Sequence, residues 1–273
     1  MIDRGPSARR WTLTATIIGS SLSFIDATAV NVALPALQAD LQATITDVQW
    51  VIEAYALFLG ALILVGGSLG DQLGRKRTFL GGVVLFTVAS VACGLATSTQ
   101  MLIAARAAQG IGAAFLVPGS LAIISATFDA AERGRAIGTW SGFSAMTTAA
   151  GPIAGGWLIE HVSWRAVFFL NVPLAAIVIA LSARFMSESR DASRTSRIDW
   201  AGAALAVLGL GGVVFAFLEW PRLDASRPLV LSTLAGGAAS LVAFVIVEGR
   251  VRDPMLPLRL FRSRTFTLAN VLT

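Results

Sequence analysis

Apolar residues fall along this chain in blocks of about 20, the length that carries a helix across a bilayer core. Eight such blocks run over 11–34, 48–69, 79–96, 101–124, 136–159, 166–186, 200–217 and 229–247, and a ninth starts at Phe266 and reaches Thr273. The pattern predicts an all-α polytopic membrane protein. The first six spans form one unit, 1–186. The stretch 187–198 mixes Ser, Arg and acidic residues without apolar periodicity and reads as an exposed cytoplasmic linker. Two further spans occupy 199–249. A second cytoplasmic connector, 250–273, carries Pro254 and Pro257 and leads into the ninth helix.

Composition excludes a soluble domain, since 55% of the residues are apolar and 14% charged. A net charge of +5 would suit a nucleic-acid surface, but the placement of the cations gives it another meaning. Most of the 21 Lys and Arg lie in the N-terminal tail and in alternate loops: Arg4, Arg9 and Arg10, then Arg75, Lys76 and Arg77, then Arg133 and Arg135, then the loops 184–197 and 250–264. The opposite loops hold only Arg165, Arg222 and Arg227. The positive-inside rule therefore puts the N-terminus in the cytoplasm of a cell (plasma) membrane. The charge orients the chain, so its partner is the lipid bilayer and not nucleic acid.

The first span contains Asp26 and Asn31 and is followed by no small-residue cleavage site, so it reads as a signal-anchor, not a cleaved signal peptide. The lone Cys93 lies within a span, which excludes an internal disulfide. No His/Cys grouping suits a metal, and no nucleophile–base pattern suits an enzyme; His161, beside Glu160, reads as interfacial. A phosphate-binding Gly-x-x-x-x-Gly-Lys-Ser/Thr loop is missing as well, so no nucleotide or other cofactor is expected.

Four constellations carry candidate chemistry. Between the second and third spans, Gly67, Gly70 and Gly74 permit a tight reversal; Asp71 suits a helix N-terminus, and Arg75, Lys76 and Arg77 suit the cytoplasmic face. In the first span, Asp26 is a carboxylate at membrane depth, where a charge costs a few kcal/mol and normally faces a cavity or a partner. Its alternatives are a proton-carrying group and an acid that only ties helices together. In the fourth span, Arg106 is followed by Gln109, Gly110 and Gly112. At about 1.5 Å of rise per residue, Asp26 sits ~12 Å and Arg106 ~8 Å from the outer ends of their spans, nearly one level. Glu53, about five residues into the second span, falls at a similar depth and is either a third member of this group or a rim residue facing water. Burial favours a neutral acid and a nearby cation favours a charged one, so the grouping can poise a proton near physiological pH. In the fifth span, Gly138/Gly142 and Gly151/Gly155 are small residues four apart, suited to close helix contact, with Pro152 to bend the axis and Gly156 beside them.

The loop 67–77 resembles the signature loop of the major facilitator superfamily, Gly-x-Leu-x-Asp-x-x-Gly-Arg-Lys/Arg, with Gln72 where a further arginine is frequent. The run from Asp26 to Pro35, the Arg-x-x-Gln-Gly-x-Gly motif at Arg106 and the Gly-Pro-x-x-Gly-Gly motif at Gly151 resemble that superfamily's fourteen-helix drug:proton antiporters. So does the run from Trp164 and Arg165 through Asn171 to Pro173, here assigned to anchoring and packing. The likeness extends over essentially all 273 residues. It implies a six-helix bundle of two inverted three-helix repeats followed by two inserted helices, and efflux of an amphipathic small molecule by alternating access, driven by the proton gradient. Asp26 and Arg106 would govern coupling, and the 67–77 loop would govern the conformational change. It also implies a second half, from a longer polypeptide or a second chain. The rival readings are a truncated, non-transporting membrane protein and an uptake or facilitative transporter.

Overall fold

The structure, a computed structural model, describes residues 6–190, 199–223 and 228–250; most of the 187–198 linker and the expected ninth helix fall outside them. The described residues form α-helices joined by short turns and connectors, without a strand. They form α1 (Pro6–Leu41), α2 (Ile45–Leu73), α3 (Arg75–Gly94), α4 (Thr99–Ala113), α5 (Leu116–Thr127), α6 (Ala130–His161), α7 (Trp164–Phe169), α8 (Asn171–Phe185), α9 (Trp200–Leu223) and α10 (Pro228–Arg250).

Capping residues set several of the starts. Thr44 accepts from the Asp47 N–H while Asp47 reaches back to the Thr44 N–H, a reciprocal box opening α2. Ser98 opens α4 and Ser163 opens α7 by the same kind of side-chain acceptance. The helices overrun the apolar blocks. α1 extends past the expected 11–34 at both ends and passes through Pro35, whose missing N–H is tolerated on an exposed face.

Two expected single spans are broken: the fourth at Ala114–Phe115 and the sixth at Leu170. A third difference concerns the fifth. Seven stretches among the described residues are long and apolar enough to cross a membrane, and α6 is not one of them, although it is 32 residues long. Its Gly, Ser and Thr content dilutes the hydropathy that the apolar block 136–159 suggested.

Contacts divide the chain into two compact units, Met1–Arg194 and Thr195–Thr273. In the first, α1 is central and packs on α5, α6 and α8, while α4 packs on α2 and α3. One apolar cluster includes Leu22, Phe79, Val83, Phe86 and Val178; another includes Ala29, Val30, Leu37, Leu102 and Phe168. Asp26 lies on α1 between Leu22 of the one and Ala29 of the other. In the second unit, α9 and α10 form an antiparallel pair, with Gly209 against Leu241 and Gly212 against Gly237. Small residues let two backbones approach closely where lipid offers no hydrophobic drive for association.

Candidate functional site

Asp26 and Arg106 are 1% and 2% exposed, and Arg106 Nη1 donates to Asp26 Oδ2. Two neutral amides complete the shell of the acid: Gln109 Nε2 donates to Oδ1 at 2.8 Å and Asn171 Nδ2 to the same oxygen at 3.2 Å. The carboxylate thus accepts three hydrogen bonds from three side chains on two other helices, α4 and α8. Arg106 and Gln109, three apart on α4, share a face, and Arg106 Nη1 also donates to Gln109 Oε1 at 2.7 Å. Arg106 Nε donates to the Val51 carbonyl of α2 at 3.1 Å, and its guanidinium lies over the Tyr55 ring, 4.2 Å from the centroid. A buried ion pair offsets its desolvation cost only when the remaining donors and acceptors are also satisfied. Here α2, α4 and α8 supply those partners.

Ser90 on α3 extends the network. Its Oγ accepts from Asn171 Nδ2 at 2.8 Å and from Gln109 Nε2 at 3.2 Å, and donates to the Phe168 carbonyl of α7 at 2.9 Å. Cys93, one turn further, directs its thiol to Gln109 Oε1 at 3.6 Å. Glu53 is half-exposed, and neither Asp26 nor Arg106 bonds to it. The structure therefore brings Asp26, Arg106 and Gln109 together, leaves Glu53 outside, and adds Ser90, Tyr55 and Asn171. Asn171 lies in the run that the sequence assigns to anchoring and packing; a polar amide in an apolar run is the signal that it does more.

Glycines make the close approach possible. A Cβ on Gly110 would collide with the Tyr55 carbonyl, and one on Gly112 with the backbone of Phe86. On α6, Gly151 sits against Ile25 and Thr28, and Gly155 against Ala29, which holds α6 beside the Asp26 turn of α1. Gly138, Gly142 and Gly156 meet no atom within 4 Å, and Pro152 is exposed. The expectation of close contact at both glycine pairs is corrected: only the Gly151/Gly155 pair makes one among the described residues.

The 67–77 loop also departs from expectation. Gly67 and Gly70 are helical, and the reversal is made by Gly74 alone, at φ +114°, a region that side-chain-bearing residues rarely adopt. Because α2 runs on to Leu73, Asp71 lies in its last turn and not at a helix N-terminus; there it accepts from Arg75 Nε at 3.0 Å and Nη2 at 2.8 Å. The acid at the N-terminus of α3 is Glu188, from the segment after α8. Glu188 takes the N–H groups of Lys76 and Arg77, both at 3.1 Å, while Lys76 Nζ donates to the Met186 carbonyl at 2.8 Å. At the other end of the unit, Asp40 accepts from Trp164 Nε1 at 3.1 Å and from Arg165 Nη1 at 2.6 Å, fastening α7 to α1.

Membrane-length helices around a sealed ion pair define a polytopic integral membrane protein with a polar interior. The chain belongs to the Major Facilitator Superfamily, whose sequence profile matches residues 16–262. It is 39% identical over 259 residues to the multidrug resistance protein Stp of Mycobacterium tuberculosis, covering 94% of this chain and 48% of that protein. To the puromycin resistance protein pur8 of Streptomyces alboniger it is 41% identical, with 93% and 50% covered. To the tetracenomycin C resistance and export protein of Streptomyces glaucescens it is 35% identical, with 98% and 50% covered. The chain thus spans about half the length of these relatives. In fold it is similar to a bacterial homolog of the human lysosomal transporter Spinster, in an inward-facing, unoccupied crystal structure, with a TM-score of 0.54, 20% identity, and 90% of this chain and 62% of that one covered. It is also similar to the POT family transporter PepTSo, with a TM-score of 0.59, 14% identity, and 95% and 57% covered.

Proposed function

We propose that this chain forms the proton-coupling half of a drug efflux antiporter in the plasma membrane, with its N-terminus in the cytoplasm. Asp26 carries the proton and Arg106 is its fixed counter-charge. The observation behind this reading is the Asp26–Arg106 pair, buried between the two apolar clusters and ringed by donors. As a carboxylate, Asp26 neutralises Arg106. Once protonated, it leaves a permanent cation without a counter-ion in a site closed to water, and a second arrangement of the helices then becomes favourable. Uptake of a proton from outside would in this way drive alternating access, and a bound amphipathic compound would leave the cell in exchange. The resistance and export functions named for the relatives support efflux as the direction. Their length supports a counterpart to this half, in the same polypeptide or another, forming the opposite wall of the substrate cavity. Arg75, Lys76 and Arg77 would hold the cytoplasmic ends of α2 and α3 against that counterpart as the halves rock.

The test is efflux of a cationic fluorescent drug from cells carrying the gene, with and without a protonophore. Efflux should stop with the protonophore, and it should also stop in Asp26→Asn protein that still reaches the membrane. Efflux that continues unchanged with the protonophore would refute proton coupling.

A further inference from the structure

Asn171 carries an oddity that the Asp26–Arg106 pair does not require. Its side chain is 1% exposed and its Nδ2 serves two acceptors, yet its Oδ1 is buried with no hydrogen-bond partner. A buried carbonyl left unpaired costs on the order of 1–3 kcal/mol, so such an atom calls for an explanation.

The bonding of the neighbours supplies one. Asp26 Oδ2 faces Arg106, which has donors only, so a proton arriving on Asp26 must sit on Oδ1. Oδ1 faces two amide nitrogens, from Gln109 and Asn171. A new O–H there meets donors and needs an acceptor. Gln109 cannot supply one, because its Oε1 already accepts from Arg106 Nη1 and from the Cys93 thiol, and turning the amide would set nitrogen against both. Asn171 can turn, because its oxygen gives up no bond in doing so.

We propose that Asn171 is a positioning residue that reads the protonation state of Asp26 by reversing its side-chain amide, an inference that rests on Asp26 being the proton carrier. With Asp26 ionised, Nδ2 faces the acid. With Asp26 protonated on Oδ1, the amide turns through half a rotation and Oδ1 accepts the new O–H. Each orientation leaves one end of the amide poorly paired, so neither is strongly preferred and a single proton decides between them. The proton comes from the external medium and stays on Asp26, whose charge goes from −1 to 0 while Arg106 remains +1. The other titratable groups facing the pair are Tyr55 of α2, beneath the Arg106 guanidinium, and Cys93 of α3, on Gln109; α8 contributes the neutral Asn171.

The reversal also reaches the backbone. Ser90 Oγ receives Asn171 Nδ2 and sends its proton to the Phe168 carbonyl, two residues before the break at Leu170. When Oδ1 replaces Nδ2, Ser90 turns its hydroxyl toward Asn171 and releases Phe168. A proton on α1 is thereby converted into the loss of a bond between α3 and α7.

Infrared difference spectroscopy of the full chain in lipid nanodiscs, recorded across a pH titration with asparagine isotopically labelled at the side-chain carbonyl, tests this in unmutated protein. The labelled positions are Asn31, Asn171 and Asn270. The expected result is a labelled amide band that shifts to lower frequency in step with the appearance of a protonated carboxyl band. Asn171→Leu should lose the amide shift and keep the carboxyl band; Asp26→Ala should lose both. A titrating Asp26 carboxyl with a stationary labelled amide overturns the role of Asn171 and leaves the proton carrier standing. If no carboxyl band belonging to Asp26 titrates, the carrier falls, and the reading of Asn171 falls with it.

Discussion

Glu188 accepts a hydrogen bond from the backbone N–H of Lys76 at 3.1 Å, although 112 residues separate them. With Arg77 N–H on its other oxygen, the carboxylate serves as an N-terminal cap for α3, supplied from the far end of the unit. It does so because α3 opens directly after Gly74, which has no side chain to cap with. Negative charge is also favoured at that end of a helix.

Glu188→Ala should therefore destabilise the chain by about 0.5–2 kcal/mol, the range measured for lost caps. Glu188→Gln should recover part of this, since an amide oxygen can accept one of the two N–H groups. Thermal unfolding in detergent, followed by circular dichroism, measures both. Equal melting of Glu188→Ala and the parent would remove the cap from the account.

The ion pair predicts a non-additive cycle. Removing Arg106 alone, as Arg106→Met, leaves Asp26 buried and uncompensated and should cost about 3–5 kcal/mol. Asp26→Leu alone strands the guanidinium at comparable cost. The double variant should be more stable than either single one, because no buried charge is left without its partner. Arg106→Lys keeps the charge but loses the fork that joins Asp26, Gln109 and the Val51 carbonyl, so it should fall between the parent and Arg106→Met. Denaturant unfolding of the parent, the two single variants and the double variant in one detergent measures the coupling, and Arg106→Lys is compared on the same scale.

Glycines should respond oppositely to alanine according to what each one faces. Gly110→Ala and Gly151→Ala drive a methyl into the Tyr55 carbonyl and into Thr28, and should cost about 1–3 kcal/mol as overpacking. Gly138→Ala and Gly142→Ala meet open space and should be neutral or slightly stabilising, by up to about 1 kcal/mol from helix propensity. Comparing melting temperatures across the four variants reads this directly.

Cys93, the one cysteine of the chain, should be silent to thiol reagents in the folded state. It is fully buried, so a reagent in solution cannot reach its sulfur while the helices stay packed. Maleimide labelling followed by mass spectrometry should find the folded protein unmodified and the denatured protein labelled once. Labelling of folded protein at the unfolded rate would mean that the Gln109 region opens.

Half of the buried network could be read without coordinates. Asp26 and Arg106 stand out in apolar runs because a charge there is costly and must be satisfied, and Gln109 follows Arg106 at the spacing that puts both on one helix face. Ser90 gives no such signal. Thr87, three residues earlier on the same helix, binds its own backbone at Val83, whereas Ser90 crosses to Phe168. Both are hydroxyls in an apolar span. Which one turns inward depends on what packs against α3, and that information is not in the span itself. Glu53 shows the reverse case: its depth suggested membership of the group, but depth does not say which way a side chain points around the helix.

Hydropathy and charge along the chain are enough for the membrane helices other than α6, their order and the expected orientation, because transfer of a span into lipid depends on composition and length, with little need of neighbours. The family motifs were likewise visible in one dimension. Tertiary structure alone decided that Glu188 and not Asp71 caps α3, that Gly151 and Gly155 but not Gly138 and Gly142 meet another helix, and that Asn171 completes the shell of Asp26. Each of these depends on a partner 70 or more residues away in the chain. Hydrogen bonds and close packing are short-ranged, so they are settled only once the helices have chosen their neighbours.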